Sequence, residues 1–209
     1  MAKTILCYGD SNTWGYNPHT KGRYSFEKRW SSVLQASLGS SFRVIAEGLN
    51  GRTTVWDDPM GAYKNGKIYL IPCLHSHKPI DVVIIKLGTN DLKKQFCLTA
   101  SEIANGAKTL VEMVIGSECG PESLVPKVLL IAPAPLATVS GFAEMFEGGE
   151  KKSKLFGKAF SKVAEELGCY FLDAGKHIHS SEKDGVHLDE EMQLKLGKAV
   201  ADKVKVMHF

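Results

Sequence analysis

Five short apolar runs punctuate the chain: Thr4 to Tyr8, Arg43 to Ala46, Val82 to Leu87, Val128 to Ala132 and Tyr170 to Leu172. Several are unbroken Val, Ile and Leu, which is the pattern of strands covered on both faces in a parallel sheet. Between the runs, apolar residues recur at helical spacing. Trp30, Val33, Leu34 and Leu38 share one face of a segment from about Glu27. Ile103, Ala107, Leu110, Val111 and Val114 form a second stripe; Leu155, Phe156, Ala159, Phe160, Val163 and Leu167 a third; Met192, Leu196, Val200 and Val204 a fourth. Thr99 and Glu102 have capping-box spacing, which starts the second of these helices near residue 99. A shorter helix, about Lys67 to His75, follows the turn residues Asn65-Gly66. Strands alternating with helices predict a doubly wound α/β fold, in which ligands bind beyond the carboxyl ends of the strands. Two irregular stretches, 12 to 25 and 52 to 66, are long enough to shape such a site.

Composition narrows the picture. A chain of 209 residues fits one domain spanning 1–209 and buries enough surface to need no staple. Hydrophobic residues at 44% and charged residues at 23% are ordinary for a globular chain, and a net charge of +3 with scattered Lys and Arg makes no case for nucleic acid. Cys7, Cys73, Cys97, Cys119 and Cys169 lie mostly in apolar stretches without zinc-like or redox spacing, so they read as buried free thiols. The N-terminal residues run straight into a strand, and no apolar run approaches the roughly 20 residues that cross a bilayer. These features predict a cytoplasmic protein with no membrane partner.

The residues after the strands carry the candidate chemistry. Gly9-Asp10-Ser11-Asn12 follows the first strand. A Gly there permits a tight turn into a helix whose backbone N–H groups face an anion, and it leaves Ser11 exposed at the rim of the sheet. Ser11 reads as a nucleophile, as a helix cap or as part of a phosphate-binding loop. The Gly-x-Ser-x-Gly elbow is incomplete, because Thr13 stands where its second Gly belongs. After the second strand, Gly51 reads either as a simple turn or as a backbone N–H turned into the site. After the third come Gly88-Thr89-Asn90-Asp91, where the Asn90 amide offers an uncharged donor to a developing oxyanion, or else caps a turn. After the last strand, Asp184-Gly185-Val186-His187 precedes a helix starting near Leu188 or Asp189. Three residues of separation with an intervening Gly let the Asp184 carboxylate fold back onto one imidazole nitrogen of His187, leaving the other for Ser11. His177 and His179 read as surface residues, since His-x-His alone is a weak metal signal. His19, His75, His77 and His208 lack a strand-end context.

Taken together, Gly9-Asp10-Ser11, Gly51, Gly88-Thr89-Asn90-Asp91 and Asp184-Gly185-Val186-His187 resemble, in order, the Ser, Gly, Asn and His blocks of the SGNH (GDSL-type) hydrolases. The first block departs from that pattern in reading GDSN rather than GDSL. A closer similarity to the bacterial aryl esterase and acyltransferase branch rests on Thr13-Trp14-Gly15, Arg29-Trp30, Arg52-Thr53-Thr54, Asp57-Asp58-Pro59, Phe146-Glu147-Gly148-Gly149-Glu150 and Phe171-Leu172-Asp173-Ala174-Gly175.

The resemblance implies a flavodoxin-like three-layer sandwich with a five-stranded parallel sheet, the SGNH hydrolase fold. It implies a serine esterase acting on small acyl or aryl esters through Ser11, His187 and Asp184 and an acyl-enzyme. The Ser11 and Gly51 N–H groups and the Asn90 amide would hold the oxyanion, with no metal or organic cofactor. It also implies acyl transfer to alcohols or peroxide in some members, and a homo-oligomer. Trp14 and Tyr16 are candidates for walls of an acyl or aryl pocket, or else core or oligomer contacts. A carbohydrate O-deacetylase or lysophospholipase of the same fold, and a flavodoxin-like phosphate-binding module, are the alternatives.

Overall fold

Alternation inside each apolar run explains the layering. In β1 (Lys3–Gly9), Leu6 and Tyr8 belong to the core on one face and Ile5 and Cys7 to the core on the other, all fully buried. A strand enclosed in this way has no place for a polar side chain in its middle, which is why the runs are continuous. The computed structural model describes residues 2–207; Met1 and His208 of the sequence reading lie outside them. The remaining strands are β2 (Phe42–Gly48), β3 (Val82–Lys86), β4 (Lys127–Ala132) and β5 (Tyr170–Asp173). All pair in parallel in the order β2-β1-β3-β4-β5, with Leu6 opposite Val83 and Cys7 opposite Ile84.

The helices are α1 (Ser11–Trp14), α2 (Trp30–Leu38), α3 (Gly66–His77), α4 (Ala100–Ile115), α5 (Gly149–Ser153), α6 (Phe156–Leu167) and α7 (Glu190–Lys205). α3, α4 and α6 cover one face through Leu70, Leu110 and Phe160; α2 and α7 cover the other through Trp30, Leu34, Leu196 and Val200. Each such large apolar side chain, fully buried, contributes roughly 1.5–3 kcal/mol. This is the doubly wound architecture expected, and its strand order reverses between β1 and β3. The crevice at the carboxyl ends of those two strands is where such a sheet binds ligands.

The capping box forms as the spacing requires: Glu102 N–H donates to Thr99 Oγ1 at 3.3 Å, and Thr99 N–H donates to Glu102 Oε2 at 2.8 Å. Asp189 precedes α7, within a residue of expectation. Three details differ. Leu155, counted in the third apolar stripe, stands before α6 and is 57% exposed, because the helix and its buried face begin at Phe156. α3 runs from Gly66 to His77, slightly longer at both ends than the expected Lys67 to His75. Cys97 is exposed and Cys169 half-buried, so only Cys7, Cys73 and Cys119 are buried thiols. Cys97 falls in a surface turn with φ +50°, outside any strand or helix face. Among the described residues, no helix is long and apolar enough to cross a membrane.

Candidate active site

The turn leaving β1 is built by its own side chains. Asp10 precedes α1 and its Oδ1 accepts from the Asn12 N–H at 3.0 Å, so the chain bends at once into a four-residue helix. Ser11 is the first residue of that helix and stands at the switch point of the sheet.

The partner loop arrives from 176 residues further along the chain. Asp184 Oδ1 accepts from the backbone N–H groups of Val186 and His187, each at 2.9 Å, and closes the loop on itself. Gly185 makes the bend possible: its φ is +79°, and a Cβ there would meet Thr138 O at 2.6 Å. The other carboxylate oxygen, Oδ2, lies 2.7 Å from His187 Nδ1, and His187 Nε2 lies 3.0 Å from Ser11 Oγ. Burial raises the Asp184 pKa, but hydrogen bonds from the His187 ring and from the N–H groups of His187 and Val186 outweigh it, so the carboxyl sits below its ordinary value. Its stabilising charge is therefore present through neutral pH and is lost only as pH falls through that lowered value. An ionised Asp184 keeps the proton on Nδ1, which leaves the Nε2 lone pair free to take the Ser11 proton.

Two further strand ends close on this pair. Gly51 adopts φ +79°, a conformation that suits glycine, and lines the same pocket as Ser11 and Asn90. Arg52, buried, donates to the carbonyls of Gly9 (2.9 Å) and Glu47, tying the ends of β1 and β2 together. Its own carbonyl accepts from Asn90 Nδ2 at 3.0 Å. An amide nitrogen carries two hydrogens, so this bond orients Asn90 while leaving one N–H for the pocket.

Asp91, fully buried, accepts from the Thr54 N–H at 3.0 Å and from the Thr54 hydroxyl, holding the loop after β2 against the turn after β3. Desolvation pushes its pKa up to about 6 despite those bonds, with Asp10 adding to the rise. The folded protein thus holds this proton more tightly than the unfolded chain, and Asp91 makes stability fall as pH rises from about 4 to 6. Asp91→Asn should remove that dependence: between pH 4.5 and 7, urea unfolding should show the wild type losing about 2 kcal/mol relative to the variant. Parallel stability profiles for the two proteins would refute the assignment.

Sequence reasoning missed Asn12. Its Oδ1 accepts from the Leu188 N–H at 3.1 Å and its Nδ2 reaches Val186 O at 3.5 Å, bracketing His187 on both sides. Its own carbonyl accepts from Gln193 Nε2 at 3.1 Å, which anchors α1 to α7. In the sequence Asn12 reads as part of the turn after the first strand and as a departure from the GDSL pattern, with no partner assigned, whereas a polar residue buried beside Ser11 requires partners. Asn12→Ala should destabilise the protein by about 1–3 kcal/mol, because the Leu188 N–H is left unpaired. It should also lower kcat about ten- to a hundredfold at unchanged KM, because the imidazole loses its alignment. Urea midpoints and ester kinetics, both unchanged, would show that the His187 loop holds its place without this clamp.

The pocket has a volume of about 200 Å³ and is lined by Ser11, Asn90, His187, Tyr16, Phe142 and Phe146 among others. The Tyr16 ring packs on the His187 imidazole with centroids 4.1 Å apart, and Phe142 meets it edge-on at 6.3 Å. Lys93, at the rim, pairs with Asp58 at 2.6 Å, which fastens the irregular 52–66 loop to the site. Of the two aromatic candidates, Tyr16 is therefore in the pocket. Trp14 is not among its lining residues: it ends α1 beneath the Arg23 guanidinium, 4.7 Å from the ring centroid, with its backbone against Gly48. Phe142, Met145 and Phe146 are walls that the sequence pattern does not point to. They follow β4, the strand end whose sequence offers no catalytic candidate. His177 and His179 are exposed, as expected.

The sequence pattern of the GDSL-like lipase/acylhydrolase family matches residues 7–194. Among solved structures, a carbohydrate acetylesterase from Sinorhizobium meliloti is 42% identical, with 99% of this chain and 100% of that one covered and a TM-score of 0.94. An aryl esterase from M. smegmatis is likewise 42% identical over 99% of this chain and 100% of that one, with a TM-score of 0.95. An acetylxylan esterase from Xylanibacter ruminicola is 24% identical over 96% of this chain, which spans only 43% of that relative's length.

Proposed function

The chain belongs to the GDSL-like lipase/acylhydrolase family and is a carboxylic ester hydrolase, and on that premise we propose that Ser11 is its nucleophile. The observation that carries this reading is the relay of 3.0 Å from Ser11 Oγ to His187 Nε2 and 2.7 Å from His187 Nδ1 to Asp184. His187 takes the Ser11 proton as Oγ attacks the ester carbonyl, and Asp184 stabilises the imidazolium that forms. The tetrahedral oxyanion is held by the N–H groups of Ser11 and Gly51 and by the free N–H of Asn90. His187 then protonates the departing alkoxide or phenoxide, leaving an acyl-enzyme. A water molecule, or another alcohol or peroxide, attacks that acyl group with His187 again taking the proton. None of these steps calls on a metal or an organic cofactor. A fluorophosphonate adduct mapped to Ser11 tests the assignment, and labelling at another residue refutes it.

Short acyl groups are the preferred substrates. About 200 Å³ walled by Tyr16, Phe142, Met145 and Phe146 accommodates an acetyl or butyryl chain and an aryl ring, but not a lipid tail. Across p-nitrophenyl esters, kcat/KM should peak between two and four acyl carbons and fall steeply by eight; a profile rising to eight would refute the small-acyl reading and favour the lysophospholipase one. Removal of acetyl groups from carbohydrate is a second reading, favoured by the acetylesterase names of two relatives and by the same small pocket. The exposed Met60, Tyr63 and Ile68, clustered on the 52–66 loop and α3, support assembly into a homo-oligomer. The free thiols support a cytoplasmic location. Membership of an ester hydrolase family leaves no support for the phosphate-binding module.

A further inference from the structure

On the far side of the 49–52 loop from Ser11, α3 carries Tyr69, Cys73 and His77, each four residues apart and so one above the other on a single helix stripe. The stripe packs against the end of β2, where His77 Nε2 lies 3.0 Å from Glu47 Oε1. One donor atom from each of Glu47, Cys73 and His77 lies within 4.8 Å of the other two. Cys73 is fully buried, Glu47 and His77 partly so, and none of the three has a task in ester cleavage.

We propose that Glu47, Cys73 and His77 form a binding site for a divalent cation of the zinc class. The donor set selects the ion. Thiolate, imidazole and carboxylate together suit Zn²⁺, whereas Ca²⁺ and Mg²⁺ take oxygen ligands alone. Two ligands come from one rigid helix, one turn apart, and the third comes from a strand end, so the site is largely built before the ion arrives. Of the three, Glu47 alone lines a cavity of about 630 Å³, with Leu49, Asp57, Tyr63 and Tyr69, so the ion reaches the site past its carboxylate. On binding, His77 coordinates through Nε2 and gives up its hydrogen bond to Glu47, while Cys73 coordinates as the thiolate and releases its proton to solvent. The two anionic ligands offset the charge of the ion. Arg52, 5.7 Å from the Tyr69 ring, adds a positive charge nearby and limits affinity to below that of a four-ligand structural zinc site. The ion sits apart from Ser11 and takes no part in the ester chemistry.

Cobalt substitution tests this, because a cobalt–thiolate bond has its own near-ultraviolet charge-transfer band. The full-length chain carrying Cys97→Ser, which removes the exposed thiol, is freed of metal with a chelator and titrated with Co²⁺. The expected result is a charge-transfer band with tetrahedral d–d bands that saturate at one equivalent and are displaced by Zn²⁺. The band should vanish in Cys73→Ser, and affinity should fall at least tenfold in His77→Gln. Absence of the band, or its persistence in Cys73→Ser, would overturn the proposal. Because Cys73 is buried, its variant is checked for folding by circular dichroism. Should it not fold, the partly buried His77 decides, since Co²⁺ binding undiminished in His77→Gln also overturns the site.

Discussion

Ser11→Ala should lower kcat for p-nitrophenyl acetate about 10⁶-fold, the scale seen when the nucleophile of a serine hydrolase is deleted from a unit whose members act only together. The reason lies in the relay. Without Oγ there is no atom at 3.0 Å from His187 Nε2 to form the acyl-enzyme, and an imidazole aligned by Asp184 has no proton to take. The oxyanion donors remain, so some acceleration over water survives. Binding should change little, because the pocket walls Tyr16, Phe142 and Phe146 are untouched, and KM stays near its wild-type value where it can be measured. The fold should also hold: the side-chain bond lost, to His187, faces the pocket, where water can replace it. Burst kinetics and fluorophosphonate labelling should disappear together. A variant within tenfold of the wild type would end the assignment of Ser11.

Asp184→Asn should cost about 10⁴-fold in kcat. The substitution is informative because the two carboxylate oxygens have separate tasks. Oδ1 accepts from the Val186 and His187 N–H groups and shapes the loop, and an amide oxygen can do the same. Oδ2 faces His187 Nδ1, and an NH₂ group there cannot accept its proton. The ring is driven to the other tautomer, with Nε2–H aimed at Ser11, and it can no longer act as base. Stability by urea unfolding should stay within about 1 kcal/mol of the wild type, since the loop bonds survive. A large loss of stability with a matching loss of activity would instead make Asp184 a loop support only.

How much of this was legible in the sequence follows from which forces act locally. The runs at Val82 and Val128 declared buried strands because a strand enclosed on both faces must be apolar throughout. Thr99 and Glu102 declared a helix start because a capping box closes within one turn. Gly185 declared a bend because a residue without Cβ turns the chain freely, and its φ is +79°. Even the pairing of Asp184 with His187 was readable, since three residues lie within one turn of chain. Asn12, Arg52 and Phe142 were harder. Each acts on a partner far along the chain, such as Leu188 for Asn12 or Gly9 for Arg52, and no short-range pattern registers such a contact.

The order of apolar and polar residues by itself determined the layers, the strand ends and the four blocks that meet there, because burial and turn chemistry are settled over a few residues. Only the tertiary structure decided that Ser11 and His187 stand 3.0 Å apart, that Tyr16 rather than Trp14 borders the pocket, and that the segment after β4 walls it. Those outcomes depend on how whole helices settle against the sheet. Their packing is a sum over contacts between distant segments, and no window of neighbouring residues contains it.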